Sequence, residues 1–400
     1  MAAERPALSN KNASRFSVLD AWRGISALMV VFLHAPVANA LVATPFVRHG
    51  FLFVDFFFVL SGFVIAHAYQ GRIGSGRGAI AFLQARFARV YPLHFLMLML
   101  FLAYELALFA GRGADAAFQG TNSVSAFFAN LFLLHAFGTV DGLGWNYPSW
   151  SISAEFGAYL VFAALTLVAG RRMVAAFAAV LAVSIVVLFL AVPNMDTTVS
   201  FGGLRCLVGF SCGVLLRRLA FPAGVAAPPA PGTRHLWTFA EVAILAAVVS
   251  FVTSSGHTRL SLAAPFVFTF AIYGFAHEAG AVSRLLKTRV FQFLGLASYS
   301  IYMVHAFIIS RMVNVATVVE GRTGWHLMIL RDDGAKVFAG SPILTYGVLI
   351  ALVAATLVAS ALTWRFIERP FQSWLRPGRR GSATRSVEAI SPAPNASRAG

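Results

Sequence analysis

Arg23 and His34 stand eleven positions apart in the first hydrophobic stretch, residues 19–41. On a helix, eleven steps of about 100° return to within roughly 20° of the starting face, so the two share a face about 16 Å apart along the axis. An ionisable side chain inside such a stretch is costly and marks a functional site with a partner. A guanidinium binds phosphate bidentately and stays charged. Neutral imidazole takes a proton from a hydroxyl near pH 7. The spacing therefore suits an anchor for an anionic donor at Arg23, on the cytoplasmic side, and a general base at His34, at depth.

The elements that carry these residues are membrane helices. Of 400 residues, 58 % are hydrophobic and 12 % charged, where soluble domains carry about a quarter charged. Apolar runs near 20 residues recur, which predicts an all-α, polytopic membrane protein with ten spans: 19–41, 51–69, 90–110, 149–169, 173–192, 200–220, 237–253, 259–277, 291–313 and 341–365. No strand pair and no nucleotide-loop glycine motif is read. The net charge of +16 falls in alternate loops rather than in one patch, which argues against nucleic acid and for the positive-inside rule. Arg72, Arg77, Arg86 and Arg89, then Arg171 and Arg172, then Arg217, Arg218 and Arg234, then Arg284, Lys287 and Arg289 would be inside, with Arg369, Arg376, Arg379, Arg380 and Arg385 in the tail. Both termini are thus expected in the cytoplasm. Residues 1–18 read as a polar segment without a signal peptide's apolar centre, 19–371 as the membrane domain, and 372–400 as a disordered cytoplasmic tail. Val124 to Phe137 is apolar but too short to cross. The stretch 221–235 reads as an inner linker, and Cys206 and Cys212 as core residues.

Depth sorts the remaining polar residues. Measured from the outer span ends at 1.5 Å per residue, His34 lies about 10 Å deep, Asp55 about 6 Å, Glu155 about 9 Å, Arg205 about 8 Å and His305 about 12 Å. Five ionisable groups from five helices would share one layer around an internal cavity. A second layer at the inner boundary holds Arg23 with Arg86 and Arg89, which sit at i, i+3 on one face. Two such layers fit a long donor with a phosphate head and a reactive tip. Coenzyme A has that form, and an acyl group could pass from it to a hydroxyl on the far side.

Six ordered stretches carry a resemblance. They are Leu19-Asp-Ala-Trp-Arg-Gly with His34, Val54-Asp-Phe-Phe-Phe-Val-Leu-Ser-Gly62, Arg86-Phe-Ala-Arg-Val-Tyr-Pro92, Pro148-Ser-Trp-Ser-Ile-Ser-Ala-Glu155, Leu294-Gly-Leu-Ala-Ser-Tyr-Ser-Ile-Tyr-Met-Val-His305 and Arg365-Phe-Ile-Glu-Arg-Pro370. The chain resembles the acyltransferase-3 family of integral-membrane O-acyltransferases from residue 19 to about 371. The resemblance implies ten spans and transfer of acyl groups, often acetyl, from acyl-CoA to extracytoplasmic glycans or small hydroxyl compounds. It places the family's Arg-x10-His pattern on Arg23 and His34, and its Arg-x-x-Arg pattern on Arg86 and Arg89. A longer acidic stretch in many members is reduced here to Glu155. The C-terminal esterase-like domain of some members is not read in this sequence.

These readings give His34, Asp55, Glu155, Arg205 and His305 as the catalytic group. One carboxylate would orient His34 as in a triad; either could instead pair with Arg205. Arg205 would stabilise an oxyanion or only neutralise the carboxylates. Arg23, Arg86 and Arg89 would hold the donor phosphates. Tyr91 could stack on adenine, and Asn146 and Trp150, with Trp145 and Tyr147, would meet a carbohydrate or lipid-linked glycan at the outer rim. Glu368 reads as an ion-pair partner of Arg365 or Arg369. No cofactor or metal is expected, with acyl-CoA as substrate, and the expected location is the cell inner membrane. Two alternatives compete. A proton-coupled transporter also buries such groups, but repeat symmetry is missing. A metal-dependent hydrolase would want a His pair at i, i+4, which the sequence does not offer.

Overall fold

The computed structural model describes residues 16–69, 73–224 and 230–374. Ten helices of at least 12 residues account for most of them: α1 Ser17–His34, α2 Phe53–Tyr69, α3 Gly76–Arg112, α4 Trp150–Ala169, α5 Met173–Ala191, α6 Gly202–Ala220, α7 Arg234–Ser255, α8 Ala264–Phe275, α9 Arg289–Thr323 and α10 Pro342–Thr363. Each expected span overlaps one of them. Among the described residues, seven helical stretches are long and apolar enough to cross a membrane, so the chain is a multi-pass membrane protein. The helix α6 carries Arg205, Arg217 and Arg218, and α8 has only 12 residues, so neither is among the seven. The short apolar piece forms a helix only over Val124–Leu131, capped by the Ser123 hydroxyl on the Ala126 amide at 3.2 Å.

Several edges differ from the sequence reading. The first helix stops at His34, because Pro36 forces the preceding residue out of helical backbone; Ala35 is extended at φ −60°, ψ 122°. His34 is therefore the last residue of α1 rather than a mid-helix residue. The helices α3 and α9 run 37 and 35 residues, about 55 Å at 1.5 Å per residue. Both extend well past a hydrocarbon core of about 30 Å.

The expected absence of strand pairs is also corrected. β1, Met328–Leu330, pairs antiparallel with β2, Lys336–Phe338. Gly334 takes φ +81° in the turn between them, a conformation that favours glycine. Three-residue strands are too short for alternation to reveal. The hairpin grips the chain just past His34: the Phe338 amide donates to the Pro36 carbonyl at 2.7 Å, and the Ala38 amide to that of Phe338 at 2.8 Å.

Two helix pairs meet through glycine. At Gly24 a Cβ would fall 2.5 Å from the Leu294 carbonyl carbon, so α1 and α9 touch backbone to backbone. Gly209 and Gly213, four residues apart on α6, face α2; a Cβ on Gly209 would lie 2.8 Å from that of Phe58. Small residues at this spacing let membrane helices approach closely. The first contact brings His34 toward His305 and the second brings Arg205 toward Asp55. Cys206 and Cys212 are buried and unpaired. Residues 372–374, read as the start of the tail, continue the helix Arg369–Trp374. Arg72, Arg376, Arg379, Arg380 and Arg385, residues 1–15, the linker portion 225–229 and the tail from 375 lie outside the described residues.

Candidate active site

Two cavities lie at the two ends of α1. The inner one, about 470 Å³, is lined by Arg23 from α1, Arg86 and Arg89 from α3, Ser61 from α2, and Glu155 and Tyr159 from α4. The i, i+3 spacing on α3 puts both its arginines on this face. Arg86 rests over the Tyr69 ring, 5.5 Å from its centroid, and donates to the Tyr69 hydroxyl at 3.5 Å. Neither Arg86 nor Arg89 forms an ion pair with a described residue, which leaves their forks available to an anion. Glu155 is already engaged: Ser61 donates to it at 2.5 Å and Tyr159 at 2.6 Å.

The outer cavity, about 860 Å³, is lined by His34 and by Tyr147, Trp150, Asp196, Arg205 and Arg331, among others. His34 Nδ1 lies 2.9 Å from the Val30 carbonyl. That oxygen only accepts, so Nδ1 carries the hydrogen and Nε2 keeps its lone pair. The same Nδ1 is 3.3 Å from His305 Nε2, and the two rings stack with centroids 5.3 Å apart. His305 is fully buried, and its other nitrogen, Nδ1, has no hydrogen-bond partner among the described residues. Tyr147 packs 4.8 Å from the His34 ring. A tautomer fixed by the helix backbone, with Nε2 unengaged by the described residues, is what a general base requires.

The acyltransferase-domain profile of acyltransferase 3 matches residues 16–365. The chain belongs to the acyltransferase 3 family. Relatives of this acyltransferase 3 chain include Protein 2 in picA locus from Rhizobium radiobacter, 43 % identical over 103 residues, or 26 % of this chain and 52 % of that protein. Acyltransferase MdmB from Streptomyces mycarofaciens is 33 % identical over 115 residues, 28 % of this chain and 27 % of that protein. The match thus spans about half the length of the first relative and about a quarter of the second. No solved structure matches.

The five ionisable residues expected in one layer do not gather around one cavity in this acyltransferase 3 chain. Asp55 and Arg205 lock onto each other, with Nε to Oδ1 at 3.0 Å and Nη2 to Oδ2 at 2.8 Å, both side chains buried. Arg205 also donates to the carbonyls of Phe51 and Thr197, leaving one N–H of five for an oxyanion. A charge buried this deeply has to be paired, and that need takes Asp55 away from His34. Glu155 is held in the inner cavity, so the triad reading of either carboxylate is corrected: His34 has His305 as its side-chain partner.

Among the expected substrate contacts, Arg23, Arg86, Arg89 and Trp150 line a cavity. Tyr91 lines neither of these two: it stacks on Phe87 at 4.2 Å and donates to the Leu131 carbonyl. Asn146 is buried rather than at the rim, donating to the Met303 carbonyl at 3.1 Å. Trp145 is likewise buried, against Phe118 and Phe127.

Glu368 accepts from Ser300 instead of pairing with a neighbouring arginine. It is the last residue of a π-turn, Trp364–Glu368, a distortion often found at functional sites, and lines the inner cavity. Ser61, Tyr159 and Tyr302 line that cavity too and were missed as site residues, although Ser61 and Tyr302 stand inside the quoted motifs. Among the described residues no group of three His, Cys, Asp or Glu side chains is clustered to hold a metal.

Proposed function

We propose that this chain is a membrane O-acyltransferase. It moves an acyl group, expected to be acetyl, from cytoplasmic acyl-CoA to a hydroxyl of an extracytoplasmic glycan, lipid-linked glycan or small molecule. The observation that carries this reading is that one helix, α1, presents Arg23 to the inner cavity and His34 to the outer one. Ten crossings with both termini inside put the three arginines on the cytoplasmic side, and the positive loops support that orientation. The inner membrane is the proposed location.

Arg23, Arg86 and Arg89 hold the phosphate end of the donor, and its pantetheine arm reaches outward along α1 toward His34. The acceptor enters the outer cavity, where Trp150 and Tyr147 offer faces to a sugar ring. His34 Nε2 takes the hydroxyl proton as the oxygen bonds to the thioester carbonyl carbon. The C–S bond then breaks, and the imidazolium returns the proton to the departing thiolate. During this step Nδ1–H stays on the Val30 carbonyl, and the lone pair of His305 Nε2 steadies the positive ring. The Asp55–Arg205 pair fixes α2 against α6, the frame behind Trp150; the Arg205 guanidinium lies 5.3 Å from the Trp150 ring centroid.

The test is thiol release from acetyl-CoA by purified protein, with and without an extract of extracytoplasmic glycans. Release that depends on the extract is the expected result. No release with any acceptor fraction, despite bound donor, overturns the reading.

A further inference from the structure

Tyr302 of α9 lines both cavities and, among the described residues, is the one side chain they share. The two spaces are therefore one side chain apart at this point. Its ring is buried and packs 5.7 Å from the Phe57 ring of α2. Its hydroxyl donates to the Pro148 carbonyl, just before α4, at 3.0 Å and accepts from the hydroxyl of Ser151, in the first turn of α4, at 2.9 Å. The ring thus bridges three helices across the line from the inner arginines to His34. His305 follows one turn later on the same face, its ring centroid 6.0 Å away.

We propose that Tyr302 is the specificity residue for the acyl group, the part of the wall that a thioester displaces to reach His34. This rests on the acyltransferase reading above. With the ring in place the cavities are closed from each other. When the ring swings aside, the gap it leaves is the space through which the acyl group moves. A short acyl group passes through that gap, and each added methylene competes with the displaced ring. Two parts of the side chain do different work: the hydroxyl tethers the ring to Pro148 and Ser151, and the ring itself sets the width. Removing the tether eases displacement for every acyl group alike. Removing the ring changes which acyl groups fit.

The experiment compares kcat/KM for butyryl-CoA and acetyl-CoA in wild type, Tyr302→Phe and Tyr302→Ala, with donor binding measured separately on coenzyme A. Apolar pockets discriminate about 10–200-fold per methylene. The butyryl-to-acetyl ratio is expected to rise by about tenfold or more in Tyr302→Ala and to stay near the wild-type value in Tyr302→Phe, with coenzyme A affinity unchanged. If Tyr302→Ala does not fold, Tyr302→Leu keeps an apolar packing group and makes the same comparison. A folded, donor-binding Ala or Leu variant with the wild-type ratio overturns the proposal while leaving the acyltransferase reading intact. A wild-type protein that transfers nothing from either donor overturns that reading instead.

Discussion

Breaking the Asp55–Arg205 pair should cost stability before it costs chemistry. The two side chains are 0 % and 1 % exposed and meet through two charge-assisted bonds of 2.8 and 3.0 Å. Asp55→Ala leaves the guanidinium buried without its counter-charge, a loss of about 3–5 kcal/mol for a buried pair. At an unfolding entropy near 2.1 cal/mol/K per residue, a 400-residue chain would lose about 4–6 °C in Tm. Replacing both partners with apolar residues of similar volume removes the uncompensated charge and is often close to neutral. Asp55→Leu with Arg205→Met should therefore recover most of the lost Tm. The assay is thermal unfolding in detergent followed by size-exclusion fluorescence, with acyl transfer measured on the same samples. A double variant with restored Tm should keep transfer within about tenfold, because the loss of an oxyanion donor costs about 10²–10³ in kcat. Restored Tm with a larger loss would refute the positioning role and make Arg205 an oxyanion donor.

Two further outcomes follow from the cavities and the helix ends. Replacing Arg86 and Arg89 together with Ala should weaken acyl-CoA binding in a titration while leaving Tm unchanged, and Lys at both sites should rescue only part of it, since a lysine lacks the bidentate fork. A cysteine at Gly321 should react with an impermeant thiol reagent applied outside, and one at Gly74 should not; equal labelling would invert the proposed orientation.

Most helical segments were legible because they are long apolar runs, and the shared face of Arg23 and His34 because helical periodicity fixes it within one element. What the sequence left hidden depends on contacts between elements. Asp55 and Arg205 are 150 positions apart, and neither periodicity nor loop charge says that α2 and α6 close on Gly209 and Gly213. The pairing of His34 with His305, 271 positions apart, required the α1–α9 contact at Gly24. Asn146 and Tyr91 read as rim and stacking residues on type alone, yet each is taken up by a backbone carbonyl of another segment. Glu368 was read against its neighbours Arg365 and Arg369, whereas it ends a π-turn and accepts from Ser300, 68 positions away. The stop at His34 was readable from Pro36, and hydropathy alone ran past it.

The central claim is that His34 is the base at the outer end of a passage whose inner end holds the donor. Radiolabelled acyl-CoA mixed with wild type and with His34→Ala, each with and without acceptor, tests it most directly. Wild type should label the acceptor and carry no label itself. His34→Ala should lower transfer toward the upper part of the range of about 10²–10⁴-fold expected for loss of a general base, while binding acyl-CoA as wild type does. Label retained on wild-type protein alone would replace direct transfer with a covalent acyl-histidine route. Near-normal transfer by His34→Ala would contradict the account.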